Sequence, residues 1–97
     1  MVIEKINIGE VENILKSIDE KSIQVKVIQE SLDRVRENLK LNEKDFRIGK
    51  ISMEVFKDIK ANLEKEANSM EAEINKAKDE IKVFLTSLSE IMNKNKI

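Results

Sequence analysis

Two ladders of apolar side chains, each stepping by seven residues, constrain this chain more than any other feature. The first holds Val11, Ile18, Val25, Leu32, Leu39 and Phe46; the second holds Phe56, Leu63, Met70, Ala77, Phe84 and Ile91. A sustained seven-residue apolar repeat marks helices that pack along a seam. The ladders also mirror each other. If the chain folds back over Gly49 to Ser52, the pairs 46/56, 39/63, 32/70, 25/77, 18/84 and 11/91 face one another, because each pair of numbers sums to 102. The expected fold class is all-α: two long antiparallel helices forming a coiled-coil hairpin in one domain, able to dimerise into a four-helix bundle. At about 1.5 Å per residue the rod would be about 60 Å long.

Local signals place the ends. The first helix is expected over about 10–48, with Glu10 and Glu12 suited to the positive helix start and Arg47 to the negative end. Gly49 fits the left-handed position that closes a helix. Lys50 and Ile51 make the turn, and Ser52 caps a second helix over about 53–93, with Glu54 in its first turn. Residues 93–97 are expected to fray. With no proline in the chain, nothing interrupts either helix.

In heptad terms the first ladder occupies position a of helix one, and Ile14, Lys21, Ile28, Val35 and Asn42 occupy d. In helix two, d holds the second ladder and a holds Lys60, Ala67, Ile74, Ile81 and Leu88. The intervening layers are then Val35 with Ala67, Ile28 with Ile74, and Ile14 with Leu88. At the flanking e positions, pairs summing to 100 are Glu43–Lys57, Arg36–Glu64, Gln29–Glu71, Ser22–Lys78 and Leu15–Leu85. Two pair opposite charges and one pairs apolar residues, which supports this register. Polar residues interrupt two layers: Asn42 faces Lys60, and Lys21 faces Ile81. Such residues penalise other registers, and Lys21 is expected to lay its stem along the seam and lift its ammonium to water, with no acid–base group beside it.

Composition removes most chemistry. The chain has no histidine and no cysteine, so it offers no zinc site, no disulfide and no common nucleophile–base pair. Gly49 has no second glycine nearby to build a phosphate loop. Glu66, Glu73 and Glu80 line the g positions of helix two, across from a row on helix one that holds Asn38, Ser31, Gln24 and Ser17. A row on one helix converges on nothing and reads as a solvated face. No catalytic, cofactor-binding or metal residues are assigned, and the chain is not expected to be an enzyme. Residues 10–48 and 53–97 each carry nine acids and eight bases. That balance argues against a nucleic-acid partner recruited through phosphates and disfavours an anionic membrane surface. Apolar runs are too short for a transmembrane helix. Residues 1–8, with Val2, Ile3, Ile6 and Ile8, are too short and too charged for a signal peptide. A cytoplasmic location is the expectation.

Apolar residues outside the seam point to a surface function. Ile23 and Val27 lie one turn apart on the outer face of helix one. Leu15, Leu85 and Met92 occupy e positions and widen the stripe near the termini, while Ile59 and Val83 add single points. A two-helix seam this thin cannot cover such a stripe alone. Leu15, Ile23, Val27, Leu85 and Met92 are therefore the candidate protein interface. The expected partner is a second copy, most simply as a dimer, or a different protein.

The stretch from Leu39 to Leu63 contains the run F-x-x-G-x-I-S-x-x-x-F-x-x-I-K-x-x-L, carried by Phe46, Gly49, Ile51, Ser52, Phe56, Ile59 and Leu63. With Leu39 as a further matching position, it resembles the short helical-hairpin module called a short C-terminal, or SHOCT-like, domain, and is similar to the helical-hairpin steadiness box of an ESCRT-I subunit. The resemblance covers about a quarter of the chain. It implies oligomerisation or adaptor work without catalytic residues. A non-catalytic coiled-coil scaffold or adaptor is the expected function; a subunit of a membrane-associated or membrane-remodelling, ESCRT-like assembly is the second reading.

Overall fold

The computed structural model describes residues 8–94. Two α-helices account for its regular structure, α1 (Ile8–Arg47) and α2 (Met53–Lys94), and they form an antiparallel all-α hairpin. Each exceeds the expected range slightly at its outer end. Ile8 already belongs to α1, and Asn93 and Lys94 belong to α2 where fraying was expected. The remainder of the expected frayed segment, 95–97, and residues 1–7 of the segment considered as a leader lie outside the described residues.

The turn forms as its residues dictate. Gly49 has φ +80°, a conformation that penalises any Cβ. Its N–H donates to the Phe46 carbonyl at 3.1 Å, and the Lys50 N–H donates to the Asp45 carbonyl at 2.8 Å. These two bonds make a Schellman closure, which satisfies carbonyls that the end of α1 would otherwise leave bare. Ser52 then caps α2: its Oγ accepts from the Val55 N–H at 3.2 Å, and its carbonyl accepts from the Phe56 N–H at 2.9 Å.

Packing divides the chain into two compact units, each built from a segment of both helices. The turn unit is Lys26–Asn75. Leu32, Val35, Ala67 and Ile74 are buried in it, all at expected seam positions. Full burial of a leucine, valine or isoleucine side chain contributes about 1.5–3 kcal/mol, so Leu32, Val35 and Ile74 are a main source of the unit's stability. Near the turn the expected 46/56 layer is a ring stack, with the centroids of Phe46 and Phe56 4.5 Å apart. Asn42 is only 5% exposed. Its Nδ2 donates to the Phe56 carbonyl at 3.1 Å, while its Oδ1 is buried without a partner. Lys60, opposite it in the register, stays exposed: its ammonium lies 5.8 Å from the Phe56 ring centre and 3.9 Å from Glu64.

The flanking ion pairs differ from expectation. Arg36 reaches Glu71 at 3.2 Å rather than Glu64. Glu43 accepts from Arg47 on its own helix at 2.6 Å rather than meeting Lys57, and Gln29 donates to Asp33 at 3.2 Å rather than to Glu71. Side chains on a helix lean toward its N-terminus. Across an antiparallel pair, e residues directly opposite each other therefore lean apart, and a residue meets the one a full heptad further along, as Arg36 meets Glu71.

The terminal unit is Met1–Val25 with Lys76–Ile97, described over 8–25 and 76–94. Among its described residues only Ala77 is fully buried; Val11, Ile14, Ile18, Val25, Ile81, Phe84, Leu88 and Ile91 occupy the expected seam but are half-buried. Lys21 keeps part of its side chain exposed, but it has the charged partner that the sequence did not show. Its ammonium lies 2.5 Å from a Glu80 carboxylate oxygen. The seam position brings the long lysine to the neighbouring g row of α2, where it makes a partly exposed, charge-assisted bond.

Candidate protein-binding surfaces

The heptad register places four of the six exposed large apolar residues of the terminal unit in one row, leaving Ile23 and Val83 outside it. Leu15 and Leu85 occupy facing e positions, and Met92 is the next e residue on α2. Ile8 is the e residue that faces Met92, since both pairs sum to 100. Their exposures are 69% for Ile8, 47% for Leu15, 50% for Leu85 and 51% for Met92. Beginning the first helix at 9 or 10 leaves Ile8 out of this row; its spacing of seven from Leu15 was the available signal. Ile23, also exposed in this unit, sits on the outer face of α1. On the g side of the same unit an open groove of about 650 Å³ is lined by Glu10, Asn13, Ile14, Ser17, Phe84 and Ser87. Small serines at the flanking positions leave the seam residues Ile14 and Phe84 only partly covered there.

The turn unit carries a second apolar surface that the sequence reading did not single out. Leu41, Ile48, Met53, Val55 and Ile59 are all exposed. Leu41 occupies heptad position c on α1, and Ile48, just past the end of that helix, continues the same position. Val55 and Ile59, at c and g of α2, fall on the same side of the antiparallel pair. Only Ile59 had been noted, as a single point, because off-seam positions look unremarkable until two helices place them side by side. Val27 is exposed at the same heptad position as Leu41, two heptads earlier on α1.

Of the glutamate row, Glu80 is committed to Lys21. Its carboxyl is held below the usual carboxylate range, chiefly because it accepts the Lys21 hydrogen bond; desolvation opposes this, and the nearby Lys21 and Lys76 charges add to the lowering. Among the described residues no group of three or more acidic side chains is placed to hold a metal ion. Nor is any described helix long and apolar enough to cross a membrane.

No protein-family model, no curated protein and no solved structure matches this chain.

Proposed function

We propose that this protein is a non-catalytic coiled-coil scaffold or adaptor that acts by protein–protein interaction and self-associates. The observation that carries the reading is the unfinished packing of the terminal unit. Eight seam residues there are half-buried, and a row of four further apolar side chains stands about half exposed beside them. Helices stabilise each other by burying such stripes between layers, and a single pair of helices offers one layer contact. A further helical layer supplies the missing cover. The apolar surface of the turn unit gives the adaptor role a second place to bind.

Sedimentation equilibrium from about 5 to 500 μM, a range bracketing micromolar affinity, tests self-association. A mass that rises with concentration, and falls to the monomer when Leu15 and Leu85 are both replaced by Glu, supports it. A monomer at every concentration, unchanged by the replacements, refutes it. Flotation with anionic vesicles separates the scaffold from a membrane-assembly subunit, because a scaffold of this kind stays with the solution.

A further inference from the structure

We propose that a second copy of this chain covers the Ile8–Leu15–Leu85–Met92 row, with α1 of each copy lying over α2 of the other and the two-fold axis parallel to the helices. This rests on the self-association reading and specifies its geometry. Size, shape and charge each bear on it.

Residues 8–25 span about 27 Å, and two helices side by side about 20 Å. Covering that face removes about 540 Å² from each copy, or about 1,100 Å² in all. This just clears the ~1,000 Å² that a specific interface requires. The row runs along the midline of the outer part of the covered face, with Val11, Ile18, Ile81 and Leu88 beneath it, and Ser22 and Lys78 continue the e positions inward, so the apolar contact has a core with a polar margin. The e positions of the turn unit are Gln29, Arg36, Glu43, Lys57, Glu64 and Glu71, all polar. The apolar face is thus confined to the terminal unit, and so is the contact.

Charge decides the orientation. On this face the next position outward is b. Along α1 it holds Glu12 and Asp19; along α2 it holds Lys82 and Ser89, with Lys78 at the adjoining e position. One edge of the face is acidic and the other basic. None of Glu12, Asp19, Lys78 and Lys82 has an ion-pair partner among the described residues. A two-fold axis along the helices brings each acidic edge against the partner's basic edge. It also preserves height, which sets Asp19 level with Lys82 of the second copy, since 19 and 82 sum to 101, within one residue of the seam register. A two-fold axis across the helices instead stacks α1 on α1, acid against acid, and like charges in contact oppose association. Within one chain Asp19 and Lys82 lie on the outer edges of different helices, so any coupling between them reports contact between copies.

Charge exchange tests the arrangement. Asp19→Lys and Lys82→Asp are each expected to raise the dimer dissociation constant about tenfold in low salt, with helicity by circular dichroism unchanged. The double variant D19K/K82D is expected to recover the original constant. So is an equimolar mixture of the two single variants, because both contacts in the mixed dimer then pair opposite charges. A dimer that weakens with neither substitution, or that neither the double variant nor the mixture restores, overturns this geometry and leaves self-association standing. A monomer throughout the concentration range overturns both.

Discussion

Phe46 and Phe56 lie ring over ring, with centroids 4.5 Å apart and planes 14° from parallel. The stack joins the last turn of α1 to the first turn of α2, so it sets the register from which every later seam layer is counted. The Phe56 carbonyl also accepts from Asn42 one turn below, which ties the aromatic layer to the polar layer.

Because both rings are half-buried, Phe46→Ala and Phe56→Ala are each expected to destabilise the fold by about 2 kcal/mol. Their coupling in a double-mutant cycle should be about 1 kcal/mol, the amount an aromatic pair adds beyond area burial. Urea unfolding of the four proteins measures it. Additive losses would show that the rings do not act as a pair.

Gly49 is required for its backbone and not for space. A Cβ built there meets no atom within 4 Å, yet φ is +80°. Gly49→Ala should therefore cost about 1–2 kcal/mol through conformational strain alone. Gly49→Asn should cost less, since asparagine tolerates the left-handed region better. Equal losses for the two variants would point to a steric cause that the structure does not contain.

Asn42 has one amide group satisfied and one not. Leaving Oδ1 buried without a partner offsets what the Nδ2 bond contributes. Asn42→Leu is expected to raise stability by about 1 kcal/mol, read as a higher urea midpoint. If the buried amide fixes the register, the same variant should broaden the distance distribution between spin labels at 39 and 63. A midpoint that falls would mean the polar layer stabilises the fold outright.

The Lys21–Glu80 pair makes the terminal unit sensitive to acid. A carboxyl whose folded pKa lies below its unfolded value, about 4.3 for glutamate, stabilises the fold while ionised. That contribution is complete above the unfolded value and disappears as pH falls through the lowered folded one. Lys21→Met removes the hydrogen bond that chiefly lowers the Glu80 pKa. The Glu80 side-chain carboxyl should then titrate at higher pH by NMR, and thermal stability should decline less between pH 5 and the lowered value, that is, over the range in which a paired carboxylate is protonated. An unmoved Glu80 titration would show that the pair does not form in solution.

Legibility in the sequence followed the range of the interaction. The helices, the turn and its caps depend on apolar period and on a few local residue types. Gly49, Ser52 and the 46/56 layer stood where those rules put them, and apart from Lys60 the seam positions of both units are buried or half-buried. Leu15, Ile23, Val27, Leu85 and Met92 are exposed as the wheel implies. Ile8 and the Leu41–Ile48–Val55–Ile59 surface were missed for different reasons. The first depends on a helix start two residues earlier than its acidic signal, and the second on which off-seam positions the antiparallel pairing brings to one side.

By itself the sequence determined that this chain forms two helices, where they turn, and which residues meet along the seam, because repeat and turn chemistry are properties of the chain in order. Only the tertiary structure decided that Lys21 ends on Glu80, that Arg36 passes over Glu64 to reach Glu71, and that among the described residues the fully buried seam positions are Leu32, Val35, Asn42, Ala67 and Ile74 in the turn unit and Ala77 alone in the terminal one. Long charged side chains have several partners within reach, and their N-terminal lean selects among them only once the two helices are side by side. Burial likewise depends on what lies across the seam and on both of its flanks, which no position reveals on its own.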